Sequence, residues 1–343
     1  MRPVRFATTT DGRSLAWTRS GDGPPLVKAS NWLTHLEYDA ESPVWAHWIA
    51  FLEGHFDYTR YDERGCGLSD RDPGTLDLAT WTDDLARVVE AAKVPEPFVL
   101  LGMSQGAGAA LSFAARYPER VSHIVLFGGY VRGAYRRGDA RAAELYRSVT
   151  DVFQAGFDLP NPAFREVFTR RFLPHGTPEQ IGWFNDLCRK ATSPDVGAQL
   201  LTARGNLDAS NVLPHIKAPT LVMHAHGDEV VPVSEARFIA QGVPGAELVM
   251  LDSPNHVLQA DEPAWAEVTR QILAFTGQPA VDDLTPRERD ILTLICDAQS
   301  NKAIARALDV SEKTVRNHAT NLFAKMGVST RQEAILKARK GVR

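Results

Sequence analysis

A serine at the centre of a glycine-flanked motif is the residue of this chain best suited to nucleophilic chemistry. Gly102-Met103-Ser104-Gln105-Gly106 has the spacing G-x-S-x-G and lies between a buried apolar run at 98–101 and a helical pattern at 107–117. A serine on such a strand–turn–helix corner holds its hydroxyl above the sheet edge, and the glycines allow close packing around the turn. Ser104 is therefore predicted to be a nucleophile. The alternative is that Ser104 is an inherited residue that only lines a binding pocket.

Strand-like and helical runs alternate through most of the chain. The sequence predicts strands at 58–62, 98–102, 121–127, 220–224 and 247–251, with helices between them at 80–92 and 107–117. This alternation is typical of an α/β domain with a mainly parallel sheet. The length before residue 277 suits one large domain.

Three further motifs resemble those of the α/β-hydrolase family. Residues 62–69, Asp-Glu-Arg-Gly-Cys-Gly-Leu-Ser, are similar to that family's D-x-R-G-x-G-x-S loop. Gly227-Asp228 and Asn255-His256 follow the strands after which the family keeps its acid and its histidine, and the order Ser104, Asp228, His256 is the expected one. The resemblance implies a doubly wound α/β-hydrolase sheet with a helical lid, forming a ligand-sensing domain over residues 1–276.

The resemblance also implies a role for each residue of the site. Ser104 is the expected nucleophile, His256 takes its proton and returns it to the leaving group, and Asp228 orients the imidazole. The backbone amide of Gln105 is expected to donate to the oxyanion, and by position the amide of Trp32 is the second donor.

Several alternatives stay open at this site. Most relatives carry His-Gly where residues 28–32 read Lys-Ala-Ser-Asn-Trp, so the Trp32 side chain could instead fill or gate the pocket. One missing oxyanion donor costs roughly 10²–10³ in rate, so an intact triad is compatible with weak activity. The alternatives for the triad are a plain turn at Gly227-Asp228, a helix cap at His256, and a competing base at His224 or His226.

Residues 131–214 interrupt the strand pattern and are predicted to form the helical lid, with helices at 140–153, 163–172 and 178–190. Such a lid indicates an enclosed, mostly apolar site for a small molecule. Its aromatic side chains are expected to line the pocket in part and to fill the lid core for the most part: Phe153, Phe157, Phe164, Phe168, Phe172, Trp183 and Phe184. The cluster Arg132, Arg136, Arg137 and Arg141 is predicted to be a solvated helix face, with contact to an anionic ligand or to DNA as the alternative.

The last sixty residues read as a compact helical module. Helices are predicted at 301–308 and 312–325, with apolar residues at helical spacing on one face. The capping signals are a box at Thr285 and Glu288 with Pro286 at the first helical position, an N-cap at Ser311, a box at Thr330 and Glu333, and a helix-ending Gly327.

Segments 284–292, 300–305 and 311–318 resemble the LuxR-type helix-turn-helix of bacterial transcription regulators. The resemblance implies a DNA-binding domain over residues 284–343, joined by a linker at 277–283 that spans at most about 25 Å. In this motif the second helix enters the major groove. The matching positions are Arg316, Asn317 and Thr320 facing bases, and Lys313, Thr314 and His318 nearer the backbone. The alternative for each of them is solvated surface.

Charge divides the chain at the same place. From residue 284 onward it has 12 basic and 6 acidic residues, a net charge of +6, whereas the preceding residues carry −10. A basic module is attracted to phosphate, which favours DNA as its partner. The three scattered cysteines, Cys66, Cys188 and Cys296, indicate neither a disulfide framework nor a zinc site and fit a reducing cytoplasm. We expect no membrane helix, signal peptide, metal or cofactor.

These observations predict a bacterial, cytoplasmic transcription regulator that associates with the nucleoid when it binds double-stranded DNA. Its hydrolase-like domain is expected to sense a small apolar or ester-type metabolite. Hydrolysis of that metabolite by the same domain is a further hypothesis. A homodimer is expected because the family reads paired half-sites. The main alternative is a serine esterase whose tail localises or dimerises it, and a second is a purely structural tail.

Overall fold

A computed structural model describes residues 3–278, 284, 286–326, 328 and 330–341. Within these residues, eight strands form one sheet in the order β1-β2-β4-β3-β5-β6-β7-β8, antiparallel at its first two pairs and parallel at the others. The mainly parallel α/β fold predicted from the sequence is therefore confirmed. The strands are β1 (Arg5–Thr8), β2 (Ser14–Ser20), β3 (Pro25–Ala29), β4 (Asp57–Tyr61), β5 (Phe98–Met103), β6 (Val121–Phe127), β7 (Thr220–Ala225) and β8 (Glu247–Leu251).

Helices cover both faces of the sheet. In β5, Val99, Leu101 and Met103 belong to one apolar core and Phe98 and Leu100 to the other, because successive side chains point to opposite faces. Such two-sided burial is what a central parallel strand requires. The helices of this part are α1 (Ala46–His55), α2 (Leu78–Ala91), α3 (Gly106–Arg116), α4 (Ala140–Gly156), α5 (Ala163–Phe172), α6 (Pro178–Ala191), α7 (Pro194–Gly205), α8 (Val233–Gly242) and α9 (Pro263–Phe275).

The insertion between β6 and β7 contains the four helices α4 to α7. Asp139, Thr177 and Ser193 open three of them, each accepting a hydrogen bond from a backbone amide of the first helical turn. Phe153 and Phe157 are fully buried, whereas Phe164 is exposed. Five of the seven predicted lid aromatics belong to an apolar core that the lid shares with the sheet: Phe153, Phe157, Phe168, Phe172 and Phe184.

The C-terminal residues form a separate helical unit of α10 (Pro286–Cys296), α11 (Asn301–Ala307), α12 (Glu312–Lys325) and α13 (Arg331–Gly341) around their own apolar core. Ser311 caps α12 through the amide of Thr314, and Thr330 and Glu333 exchange the two hydrogen bonds of a capping box. Both predicted caps are confirmed. The predicted signals at Thr285 and Gly327 lie outside the described residues.

The end of α9 takes up part of the predicted linker. Gly277 has φ +66°, its amide donates to Ala274, and the amide of Gln278 donates to Leu273. These two hydrogen bonds form a Schellman cap. Glycine is favoured at this position because it adopts the left-handed backbone conformation without steric cost. Residues 277 and 278 therefore belong to the helix end, and 279–283 lie outside the described residues. Further along, α13 lies beside α1.

Candidate active site and DNA-binding surface

Ser104 occupies the sharp turn between β5 and α3. Its φ of +51° is left-handed, which costs a non-glycine residue of the order of 1–3 kcal/mol and persists only where the surroundings impose it. A β-carbon at Gly102 would stand 2.8 Å from Ala107 Cα, and one at Gly106 would stand 2.9 Å from the Ser30 carbonyl oxygen. The glycines of the motif are therefore required by close backbone approach, and the hydroxyl of Ser104 is held at the sheet edge.

Asp228 and His256 follow β7 and β8 at the same edge. His256 Nδ1 donates to Asp228 Oδ2 at 2.6 Å, and Asp228 Oδ1 accepts from the amides of Val230 and Val231 at 2.8 and 2.9 Å. A β-carbon at Gly128 would stand 3.0 Å from His256 Cε1, so the imidazole fits only against glycine. With Nδ1 held by the carboxylate, Nε2 is the ring nitrogen that can accept a proton from Ser104.

The carboxyl group of Asp228 is buried yet has a pKa below its ordinary value. Burial alone would raise this pKa, but His256, then His224, and the amide of Val231 together lower it further than burial raises it. Asp228 is therefore ionised at neutral pH. An ionised, fully hydrogen-bonded carboxylate can hold the imidazole in one tautomer and stabilise its protonated form.

The two competing histidines are placed less favourably than His256. His224 is completely buried in β7, where Nε2 donates to the Val231 carbonyl at 2.9 Å and lies 3.4 Å from Asp228 Oδ2. Burial lowers the pKa of His224, which keeps it neutral. His226 is exposed. Of the three candidate bases, His256 is the one that lines a cavity together with Ser104.

The side chain of Gln105 binds one of the two predicted oxyanion donors, the backbone amide of Trp32. With its oxygen directed towards that amide, the Gln105 side chain accepts from it and from Arg204 Nη2 at 3.3 Å. The amide predicted as the second oxyanion donor is thus already hydrogen-bonded within the protein. An acyl oxyanion would have to displace the Gln105 side chain before it could use that donor.

A cavity of about 770 Å³ opens beside Ser104 and His256. Its wall includes Trp32, Trp45, Phe127 and Tyr130 from the sheet side. The lid contributes Phe168, Phe172 and Phe184, so three of the predicted lid aromatics line the pocket. Largely apolar walls with a few polar groups are typical of small-molecule sites.

Trp32 is part of the cavity wall and is held there by the lid. Its ring meets Phe153 and Phe168 edge-on, with centroids 5.6 and 6.0 Å apart, and it is 6% exposed. The guanidinium of Arg204 lies 4.8 Å from the same ring. The Trp32 side chain therefore fills space between sheet and lid, which is the alternative that the sequence left open.

The arginine cluster of the lid is not uniformly a solvated face. Arg136 and Arg141 are exposed, and Arg132 pairs with Glu235 at 2.7 Å. Arg137, however, turns inward and lines the cavity. The prediction was right for Arg136 and Arg141 and wrong for Arg132 and Arg137, which are half-buried. The physical reason is that α4 starts only at Ala140, so the preceding residues do not share one helix face.

Two further cavity residues were missed at the sequence level. Arg171, near the end of α5, and Arg204, near the end of α7, both line the cavity with Arg137. Arg204 is buried and donates to the buried carboxylate of Glu63. A polar residue on an otherwise apolar helix face was the signal available for Arg204, which lies at helical spacing from Leu200 and Leu201.

The C-terminal unit presents one face of α12 to solvent. Val315, Ala319 and Leu322 are buried in its core, which orients the opposite face outward. Of the residues predicted to contact DNA, Lys313, Arg316, Asn317 and Thr320 are exposed, and Thr314 and His318 are half-buried at the edge of that face. None of these six side chains belongs to the apolar core of the unit, as a helix that enters a DNA groove requires.

The described residues hold neither a cluster of metal ligands nor a membrane-spanning helix. No group of three or more His, Cys, Asp or Glu side chains there could hold a metal ion. No described helix is long and apolar enough to cross a membrane.

Comparison with known proteins matches each part to a family. Residues 38–263 match the family model described as alpha/beta hydrolase fold. Pyrrolizixenacetamide deacetylase of Xenorhabdus hominickii is 26% identical over 252 residues, which are 73% of this chain and 90% of that protein. The esterase of Exiguobacterium antarcticum superposes with a TM-score of 0.66 at 23% identity, covering 80% of this chain and 99% of the esterase.

Residues 282–338 match the family model described as bacterial regulatory proteins, luxR family. The uncharacterized transcriptional regulatory protein YhcZ of Bacillus subtilis is 54% identical over 55 residues, 16% of this chain and 26% of that protein. These residues contain α12 and its exposed face. The chain belongs to the alpha/beta hydrolase fold family and carries a LuxR-type DNA-binding domain fused to its hydrolase-fold domain.

Proposed function

We propose that this chain is a ligand-responsive transcription regulator. A small apolar or ester-type molecule binds beside Ser104 in a sensing domain of residues 1–276 and shifts the affinity of residues 284–343 for double-stranded DNA. The active form is a homodimer that reads paired half-sites, as helix-turn-helix dimers do. It works in the cytoplasm and associates with the nucleoid when bound to DNA.

One observation carries this proposal: a cavity lined by Ser104 and His256 in a domain that is fused to a DNA-binding domain. Its wall is mostly aromatic and aliphatic, with a few polar groups around Ser104, as in pockets that bury most of a small ligand. A ligand changes DNA binding only by its differential affinity for two forms of the protein. A cavity closed by a multi-helix lid gives those forms a physical basis, lid open and lid closed.

The structure offers a route between the two sites. Trp45 lines the cavity and immediately precedes α1, and α13 of the DNA-binding unit lies beside α1. A ligand that moves Trp45 would shift the start of α1 and so the surface that α13 meets. The linker at 277–283 spans at most about 25 Å, so the two domains stay close to each other.

The second candidate function is hydrolysis of the ligand. The hydrogen bond between His256 and Asp228, and the strained turn at Ser104, favour an activated serine. The names of two relatives, a deacetylase and an esterase, indicate acyl transfer to water in this fold. The occupied amide of Trp32 argues for slow turnover. A regulator with slow turnover would respond to its ligand and then clear it.

The proposal is tested by measuring whether bound DNA changes the reactivity of Ser104. The full-length protein first selects an operator from a random duplex pool. Phosphonylation of Ser104 by an alkyl fluorophosphonate is then timed by mass spectrometry with saturating operator, with random duplex, and without DNA. We expect the operator to change the labelling rate at least about fivefold, the lower end of ordinary site coupling. Equal rates in all three samples would contradict coupling between the cavity and the DNA-binding domain.

A further inference from the structure

Three arginines give the cavity a charge that its aromatic wall does not suggest. Arg137, Arg171 and Arg204, called here the arginine triplet, all line it, and among the described residues no aspartate or glutamate does so. They come from three separate places in the lid: the segment before α4, α5 and α7. Arg204 is buried, and Arg137 and Arg171 are half-buried. Removing a guanidinium from water without a partner costs free energy, so three in one pocket need an explanation.

The charges of the triplet are only partly neutralised by the protein. Glu63 accepts from Arg204 Nη2, but Arg204 Nη1 is buried and has no hydrogen-bond partner among the described residues. Arg137 lies 3.9 Å from a Glu235 oxygen that Arg132 already holds at 2.7 Å. The cavity therefore keeps an unsatisfied guanidinium donor and a shared carboxylate.

Arg171 is the least compensated member. Within the described part of the chain its hydrogen bond is to the carbonyl oxygen of Glu229, at 3.0 Å, and no carboxylate pairs with it. Burial lowers the pKa of Arg171 below its ordinary value. The neighbouring Tyr146, Asp228 and Glu229 raise this pKa, but by less than burial lowers it. The neighbouring residue Arg170 is exposed and pairs with Glu166 at 3.6 Å, which is the usual arrangement for a helix surface.

We propose that the arginine triplet binds a carboxylate, so that the ligand of the cavity is a small molecule with an anionic carboxylate at one end and an apolar acyl or ester group at the other. This inference rests on the proposed function and narrows its ligand class. Arginine matches carboxylate geometry with two parallel hydrogen bonds, which makes it the preferred partner in a desolvated site. The carboxylate supplies the countercharge that the protein lacks.

The position of Arg204 joins this anion site to the catalytic residues. Its guanidinium stacks on Trp32 and its Nη2 also faces the Gln105 side chain. A carboxylate that draws Arg204 towards it would release the Gln105 side chain from one of its two partners. Anion binding at the triplet would then favour freeing the Trp32 amide for the acyl oxygen beside Ser104.

The test compares matched ligands that differ by one charge. The ligands are the monophenyl esters of succinic, glutaric and adipic acid, each with its neutral phenyl methyl diester. Binding to the full-length Ser104→Ala protein, which cannot turn them over, is measured by titration calorimetry. The same titration is repeated with Arg171→Met, Arg171→Lys and the exposed control Arg170→Met, each in the Ser104→Ala background, after thermal melting has established folding.

We expect at least one monoester to bind tenfold or more tightly than its diester. Arg171→Met should remove that preference, Arg171→Lys should restore part of it, and Arg170→Met should leave it unchanged. Diesters that bind as tightly as their monoesters would overturn the anion site and leave the ligand-binding cavity standing. Absence of binding by all six molecules to the folded protein would overturn both the anion site and the proposed ligand class.

Discussion

At the scale of single residues, the site depends on how Asp228 and His256 prepare Ser104. The hydrogen bond of 2.6 Å between the two side chains fixes the imidazole, and Gly128 leaves room for it. A positioned general base contributes about 10²–10⁴ in rate. The same residues are compatible with both candidate functions of the cavity, ligand sensing and ligand hydrolysis. An activated serine can bind a signal molecule or hydrolyse it.

Replacing His256 by Ala is expected to slow fluorophosphonate labelling of Ser104 by about 10²-fold or more, because the serine loses its base. Labelling is followed by mass spectrometry of the peptide that contains Ser104. His226→Ala is the matched control, since that imidazole is exposed, and it should label at the wild-type rate. Equal labelling of the His256→Ala protein would mean that another group activates the serine.

Replacing Gln105 by Ala is expected to raise ester hydrolysis about 10- to 100-fold, because it frees the Trp32 amide for the oxyanion. The measurement is kcat for phenyl acetate. Gln105→Glu keeps an oxygen acceptor at the same reach and should stay near the wild-type rate. A drop in kcat for both variants would show that the Gln105 side chain assists catalysis instead of blocking it.

The buried carboxyl group of Asp39, at the start of a 3-10 turn at Asp39–Glu41, is expected to make stability depend on pH. Burial raises its pKa to about 7, partly opposed by Arg60, so between pH 4 and pH 7 the folded chain keeps a proton that the unfolded chain releases. Its stabilising contribution is complete below pH 4 and is lost as the pH rises through 7. Asp39→Asn should reduce the loss of unfolding free energy between pH 5 and pH 7 by an amount on the order of 2 kcal/mol, measured by urea titration. An identical pH dependence in both proteins would contradict the assignment.

At the scale of elements, we expect α12 to divide its contacts with DNA between base edges, which carry sequence, and the phosphate backbone, which fixes position. Arg316→Ala should weaken operator binding by about 1–3 kcal/mol and leave random-duplex binding nearly unchanged at fixed salt, because base contacts carry specificity. Lys313→Ala, on the same helix, should weaken both alike and lower the salt slope by about 1. Fluorescence anisotropy on the two duplexes distinguishes them. Equal losses from Arg316→Ala on operator and random duplex would place Arg316 on the backbone.

The elements that position the site could be predicted well from sequence, for a physical reason. Buried parallel strands and N-caps are local signals, so β6, β8, α5 and α12 have the bounds expected, and Ser311 and Thr330 cap as expected. Side-chain direction in irregular segments is not a local property. The position of Arg137 on the cavity wall could therefore not be predicted from the sequence. The hydrogen bond between the Trp32 amide and the Gln105 side chain could not be predicted either, because it joins two segments that are distant in the sequence.

At the scale of the whole molecule, the charges of the two parts have opposite signs, +6 from residue 284 onward and −10 before it. We expect the acidic part to repel DNA and so to limit the directions from which α12 approaches it. We expect a 2:1 complex of protein and operator, with two half-sites about one helical turn apart. Analytical ultracentrifugation with operator duplex gives the stoichiometry, and a stable 1:1 complex at saturation would contradict the dimer.

The central claim is that occupancy of the cavity changes affinity for DNA. The most direct measurement is the dissociation constant for the selected operator, determined with the same preparation before and after phosphonylation of Ser104, and with Ser104→Ala treated identically as control. The account predicts a change of at least about fivefold on phosphonylation and none in the control. Equal dissociation constants before and after modification would contradict it and would leave a hydrolase-fold domain that is fused to a DNA-binding domain without communicating with it.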